Sequence, residues 1–319
     1  MLEGVTPRTV AEITAGLVLL YAGGEALVRG ASALAMRLGV SPLAIGLTIV
    51  AFGTSLPELV VSIDAALSEA DAIAVGNVVG SNIANIALIL GLVALLRPTA
   101  VEAKIVRLDA PLMILASLLL IGGLVNGRLS RLEGALLLVG LIGYTGFTFW
   151  EARRESQAVR EEFAGVAPGV FHSVAWSAIA VTGGLLVLVA GGHLLVTGAV
   201  GLATAIGVPQ ATIGLTIVAV GTSLPELATS LVAAAKRQGD IAVGNIVGSN
   251  LFNILGILGV TALVHPLARG DIDAVDLGVM LGVAIALLGL LTPRLGLARV
   301  EGALLLSAYA GYLVWLLVV

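Results

Sequence analysis

The sequence predicts an all-α polytopic membrane protein, with ten transmembrane helices arranged as two inverted five-helix repeats and broken helices at a central ion site. Three observations predict it. The chain of 319 residues is 59% hydrophobic and only 11% charged, with a mean hydropathy of +1.11, which no soluble domain of that length carries. Its two halves are copies of one another. Two nearly identical apolar stretches, GLTIVAFGTSLPELVVSI at 46–63 and GLTIVAVGTSLPELATSL at 214–231, each place a proline and a glutamate where lipid would otherwise surround the chain. The short alternating segments of an outer-membrane barrel are absent. There is no cysteine, so disulfides are excluded, and the net charge of -4 gives no signal for nucleic acid. The expected surroundings are the lipid bilayer, with no obligate protein partner and no cofactor. The opening residues lack a basic segment followed by a cleavable apolar core, so the first span is expected to act as its own insertion signal.

The first half, 1–150, holds five spans, at 10–38, 42–69, 72–96, 105–125 and 130–150. The second half, 171–319, holds five more, at 171–206, 210–235, 241–265, 272–292 and 299–319. The first and sixth are too long to stand upright, so they are expected to tilt or to extend past the membrane. Between the halves, 151–170 is charged and ends in Gly and Pro, and reads as a linker.

A shift of 168 positions lays the first half on the second without a gap. Ser55 meets Ser223, Glu58 meets Glu226, Asn85 meets Asn253 and Pro98 meets Pro266. The run EGALLL at Glu133 recurs at Glu301. An odd number of spans per half sends the second copy into the membrane from the opposite side, which makes the repeat inverted. Charge sets the orientation. With the N-terminus outside, the inner segments hold eleven Lys and Arg (Arg37, Arg97, Lys104, Arg107, Arg153, Arg154, Arg160, Lys236, Arg237, Arg294, Arg299), against four outside (Arg8, Arg128, Arg131, Arg269). Both termini are therefore expected outside, with the linker in the cytoplasm and the protein in the cell's inner membrane.

Proline has no N–H and clashes with the carbonyl four residues back. Pro57 is thus expected to free the Gly53 carbonyl, and Pro225 that of Gly221. Such carbonyls must line a cavity or find a partner. Thr54, Ser55 and Glu58 can face one side, as can Thr222, Ser223 and Glu226. These are hard oxygen ligands, suited to Ca²⁺ and Na⁺. The next span in each half adds Ser81 with Asn85 and Ser249 with Asn253, each pair at i, i+4. Asn77, Asn82, Asn245 and Asn250 either ligate or cap broken helix ends. Gly76 with Gly80, and Gly244 with Gly248, form faces on which helices pack closely.

A glutamate at mid-membrane costs about 3 kcal/mol even on the lenient insertion scale, which makes ion handling its default reading. A purely structural glutamate is the competing reading, and duplication of Glu, Ser, Thr and Asn together argues against it. Other polar groups read as structural. Glu25 and Arg29 are spaced for an ion pair. Glu133 and Glu301 suit helix N-termini. His193 reads as a satisfied polar group, and His172 and His265 as solvated. Asp64, whose copy is Val232, lines an outer vestibule or reaches the interface.

At these residues the chain resembles the cation/Ca²⁺ exchanger superfamily, and within it the prokaryotic Na⁺/Ca²⁺ exchangers. GTSLPE at 53–58 and 221–226, with GNVVGSNIAN at 76–85 and GNIVGSNLFN at 244–253, look like its two α-repeats. The resemblance covers all ten spans, and the GSN form is similar to the Na⁺/Ca²⁺ rather than the H⁺/Ca²⁺ branch. It implies eight helices around one central site, across which the first and sixth spans slide. It also implies that Glu58 and Glu226 bind Ca²⁺. Ser55, Thr54, Ser81 and Asn85, with Ser223, Thr222, Ser249 and Asn253, would bind Na⁺ or assist with Ca²⁺. The carbonyls of Ala51 and Ala219 are further candidates. Some relatives, including potassium-dependent ones, have Asp where this chain has Asn253, which argues against K⁺ co-transport. The expected activity is Na⁺/Ca²⁺ antiport, with H⁺/Ca²⁺ antiport through the same glutamates as the alternative. A cation channel would not need inverted copies. An enzyme would need an activated nucleophile or a HExxH-type site, and neither is present.

Overall fold

The computed structural model describes residues 7–154, 173–205, 219–270 and 272–318. These residues are helical throughout, apart from connecting turns and four two-residue strands. In chain order the elements are α1 (Pro7–Leu38), α2 (Pro42–Thr54), α3 (Leu56–Leu67), α4 (Asp71–Leu96), β1 (Thr99–Ala100), α5 (Ile105–Gly123), β2 (Arg128–Leu129) and α6 (Arg131–Arg154). Then come α7 (Val174–Ala205), α8 (Ala219–Gly221), α9 (Leu224–Ala235), α10 (Gly239–Val264), β3 (Leu267–Ala268), α11 (Ala274–Leu291), β4 (Gly296–Leu297) and α12 (Arg299–Val318). Among the described residues seven helices are long and apolar enough to cross a membrane, or eight when α2 and α3 count as one bent span.

Two boundaries differ from expectation. The first helix opens at Pro7 rather than at residue 10, because a proline in the first helical turn gives up no hydrogen bond. The helix expected to end at residue 150 runs on to Arg154, carried by good helix formers and by Lys104, which lies 3.4 Å from Glu151. The rest of the linker, His172 and 206–218 of the sixth and seventh expected spans lie outside the described residues.

The breaks follow the prolines. α2 ends at Thr54, Ser55 leaves the helical conformation, and α3 restarts at an angle of 43° with Pro57 in its first turn. Ser223 and Pro225 repeat this at the start of α9. Among the described residues four segments are wound as π-helix: Gly46–Val50, Ala84–Leu90, Ile105–Asp109 and Phe252–Ile257. A π-turn takes up one extra residue and rotates the next stretch of helix about its axis. The second and fourth are counterparts and carry Asn85 and Asn253. The third has no counterpart in α11, which instead begins with Asp273 and Asp276 in a capping box. The repeat is therefore not gapless. Tyr144 bonds Asp109 and Tyr312 bonds Asp276, yet the tyrosines are 168 apart and the aspartates 167.

α10 is buried along nearly its whole length and, with α4, forms the centre of the molecule. α5, α6, α11 and α12 present exposed Leu, Ile and Val, among them Leu119, Ile142, Ile285 and Leu304, as helices facing lipid do. α1 and α7 cross where Gly23 meets the backbone of Gly184. Two ribbons tie the halves. β1 pairs with β4 (Thr99 opposite Leu297) and β2 with β3 (Leu129 opposite Leu267). Thr99 and Leu267 are counterparts, as are Leu129 and Leu297, so each strand pairs with the non-corresponding strand of the other half.

The halves match in sequence but not in packing. Gly24 of α1 lies against Ala228 and Val232 of α9, and Lys236 reaches Glu25 at 2.6 Å. The corresponding face of α3 is open: Val60 is 66% exposed and Asp64 is exposed, whereas Val232 is buried at 7%.

The close approach of α10 to α2 is set at Gly248, where an added Cβ would stand 2.6 Å from the Leu47 carbonyl oxygen. Gly248→Ala is expected to destabilise the protein by about 1–3 kcal/mol, read as a lower Tm in detergent. Gly278→Ala on α11, where a Cβ meets nothing within 4 Å, is expected to leave Tm unchanged or raise it.

Candidate ion-binding site

The broken ends of α2 and of the α8–α9 segment converge with the middles of α4 and α10. Here Glu58 and Glu226 are both buried, at 1% and 0% exposure. The closest hydroxyl to each comes from the opposite half. Ser55 Oγ donates to Glu226 Oε1 at 2.9 Å, and Ser223 Oγ donates to Glu58 Oε1 at 3.1 Å. The i, i+4 spacing suggested a cluster within each half. The helix break at Ser55 instead turns that side chain across the interface, toward the other half's carboxylate.

The remaining hydroxyls surround this exchange. Ser249 lies 3.5 Å from Glu226 Oε1, and Ser81 lies 3.4 Å from Ser223. Thr54 donates to Asn245 Oδ1 at 3.1 Å and sits 3.5 Å from Ser249, beside Glu226, while Thr222 stands beside Glu58. The Ala51 carbonyl oxygen accepts from Ser55 N at 3.1 Å, Thr54 at 3.3 Å and Ser249 at 3.5 Å, which puts it within the cluster. Ala219 opens the short helix α8.

The four further asparagines divide into two pairs. Asn77 and Asn245 brace the restarted helices. Asn77 Nδ2 donates to the Glu58 carbonyl (3.1 Å) and Ser62 Oγ (3.0 Å), and Asn245 Nδ2 to the Glu226 carbonyl (3.5 Å) and Ser230 Oγ (3.1 Å). Asn82 and Asn250 bond the other half's site asparagines. Asn253 Nδ2 donates to Asn82 Oδ1 at 3.0 Å, and Asn85 Nδ2 donates to Asn250 Oδ1 at 3.1 Å. Ser62 and Ser230 were not singled out from sequence; their signal is the recurring serine four residues after each motif glutamate.

Among the buried side-chain atoms left without a hydrogen-bond partner are four that form two counterpart pairs: Glu58 Oε2 with Glu226 Oε2, and Asn85 Oδ1 with Asn253 Oδ1. All four are acceptors. Leaving a buried acceptor unpaired costs about 1–3 kcal/mol, and more for a charged one. An oxygen-lined site of this kind suits a hard cation. Among the described residues no group of three or more His, Cys, Asp and Glu could hold a metal ion. The site's charge thus rests on two carboxylates, and its other ligands are neutral oxygens.

Outside this site the structural readings of Glu25, Glu133, Glu301 and His265 hold. Glu25 pairs with Arg29 at 2.5 Å and also with Lys236. Glu133 accepts from Ser130 N and Oγ at 2.7 Å, and Glu301 from Ala298 N. His265 lies 3.7 Å from Asp71 at a half-exposed helix end. His193 is exposed rather than enclosed, because α7 turns that face away from the core.

The sodium/calcium exchanger protein family matches residues 9–150 and 176–318. The chain is 40% identical to the inner membrane protein YrbG of Escherichia coli strain K12, covering 94% of this chain and 93% of that protein. It is 35% identical to the sodium/calcium exchanger MaX1 of Methanosarcina acetivorans, covering 94% and 95%. Among solved structures, the sodium-calcium exchanger NCX_Mj superposes with a TM-score of 0.83 at 32% identity, covering 97% of this chain and 98% of that one. The chain belongs to the sodium/calcium exchanger family. It is a membrane-embedded Ca²⁺ exchanger, in a family of transporters rather than catalysts.

Asn245→Leu is expected to remove the brace from the Glu226 carbonyl and Ser230 and to lower stability by about 1–3 kcal/mol. Urea or thermal unfolding of the purified protein checks this, with Asn77→Leu costing less because Asn77 is only half-buried.

Proposed function

We propose that the protein is a Na⁺/Ca²⁺ antiporter that exchanges Na⁺ for Ca²⁺ at one central site by alternating access. The observation that carries this is the set of four partnerless buried oxygens in two counterpart pairs. Two carboxylates balance one Ca²⁺, while Na⁺ competes by number at the flanking Ser, Thr and Asn oxygens. In this reading Glu58 and Glu226 bind Ca²⁺. Ser55, Ser223, Thr54, Thr222, Ser81, Ser249, Asn85, Asn253 and the carbonyls of Ala51 and Ala219 complete the ion sites. A dry core with two unneutralised carboxylates resists crossing empty, which is what obligatory exchange requires.

The chain forms ten spans in two inverted repeats, 1–150 and 171–319, joined by a cytoplasmic linker at 151–170, with both termini outside. The crossed strand pairing supports this, because counterpart loops meet non-counterpart loops at each end. The likeness to YrbG supports placement in an inner membrane, and the likenesses to MaX1 and NCX_Mj support Na⁺ as the counter-ion.

Radiolabelled Ca²⁺ uptake into Na⁺-loaded proteoliposomes, against K⁺- or choline-loaded controls at fixed pH, is the test. Uptake is expected to need internal Na⁺ and to be abolished by Glu58→Gln or Glu226→Gln. Uptake indifferent to Na⁺ but driven by a pH step would assign protons as the counter-ion. Near-normal uptake in both glutamine variants would remove the site itself.

A further inference from the structure

We propose that Asn82, Asn250 and Met113 are positioning residues that force Asn85 and Asn253 to present oxygen, never N–H, to the transported ion. This rests on Asn85 and Asn253 being ion ligands. A side-chain amide offers either end to a neighbour, so a ligating asparagine needs something that fixes its sense. Each one is fixed here by a directional chain. Asn82 Nδ2 donates to the Asn250 main-chain oxygen at 3.4 Å, which can only accept. Asn82 must therefore offer Oδ1 to Asn253 Nδ2, which leaves Asn253 Oδ1 for the ion. On the other branch Asn250 Nδ2 lies 3.4 Å from Met113 Sδ, which also only accepts. Asn250 Oδ1 thus takes Asn85 Nδ2, and Asn85 Oδ1 is left free. All four asparagines and Met113 are buried, at 2% exposure or less, so water offers no alternative partner. Each half thereby sets the ligand of the other.

A double-mutant cycle on the half-saturation of Ca²⁺ exchange tests this. Asn82→Ala and Asn253→Ala are each expected to raise it about ten-fold, and the double variant no further. Asn82→Ala with Asn85→Ala, three residues apart on one helix, should multiply instead. Met113→Leu conserves volume and folds; it should weaken Ca²⁺ in the wild type but not in an Asn85→Ala background. Multiplicative effects for Asn82 with Asn253 would overturn the proposal and leave the ligands standing. A silent Asn253→Ala would overturn the ligand assignment and the proposal with it.

A second observation stands independently, and rests on alternating access. Among the described residues a latch is seen at one end of the molecule. Gly24 and Glu25 of α1 close on Val232 of α9 and on Lys236 just beyond its end, at the cytoplasmic end in the proposed orientation. Exchanging the roles of the two halves maps these contacts onto Gly192 and His193 of α7 against Asp64 of α3 and Ser68 just beyond its end. We infer that in the inward-facing state His193 meets Asp64 and Ser68 and closes the outer end. Both side chains are exposed at present, and Asp64 occupies the position that Val232 fills in the closed end. The chain has no cysteine, so paired cysteines report cleanly. Glu25→Cys with Lys236→Cys should cross-link in the state described here. Asp64→Cys with His193→Cys should cross-link only under ion conditions that suppress the first pair. Cross-linking of both pairs in one molecule would overturn the inference. So would failure of the 64–193 pair under every ion condition, in a variant that transports when reduced.

Discussion

Two carboxylates held in a lipid-bounded core are the constraint on which the rest of the structure depends. Among the described residues neither Glu58 nor Glu226 has a basic partner within the site; each is held by a serine from the opposite half and keeps one oxygen without a partner. Such an arrangement is unfavourable as a static core and favourable as a cation site. The helix breaks at Ser55 and Ser223 bring each hydroxyl across to the other half's carboxylate. Pro57 and Pro225 stand in first turns, where the missing N–H costs nothing. Asn77 and Asn245 then donate to the carbonyls of the two glutamates, which braces the restarted helices against α4 and α10.

Duplication gives this site its two-sidedness. The halves supply the same groups, each half holding the ligands of the other. The sequence symmetry is nevertheless not a symmetry of conformation. α1 lies along α9, while the corresponding face of α3 is open. Under the proposed alternating access the two halves would trade conformations, which would expose one site to either side of the membrane in turn.

Much of this was legible in the chain itself. Apolar runs located the helices, and the proline–glutamate pairs marked the breaks. The resemblance of the repeated motifs pointed to Glu58, Glu226, Asn85 and Asn253. Boundaries were displaced where local propensity outran the apolar signal, as at Glu151–Arg154 and Pro7. The one-residue slip between Asp109 and Asp276 was hidden, because a π-turn leaves no mark in hydrophobic periodicity. Asn82 and Asn250 could be read as ligands or as caps, since an amide serves either role and only its neighbours decide between them.

Sequence by itself determined that this chain is a membrane protein built of two copies, and which polar groups it carries into the bilayer. Transfer cost and repetition are properties of the chain, readable one residue at a time. Tertiary structure alone decided that Ser55 serves Glu226 and Ser223 serves Glu58, that Asn82 orients Asn253, and that one end is latched while the other stands open. Those relations join residues 165 to 211 positions apart, and only the packing of one half against the other brings them within reach of a hydrogen bond.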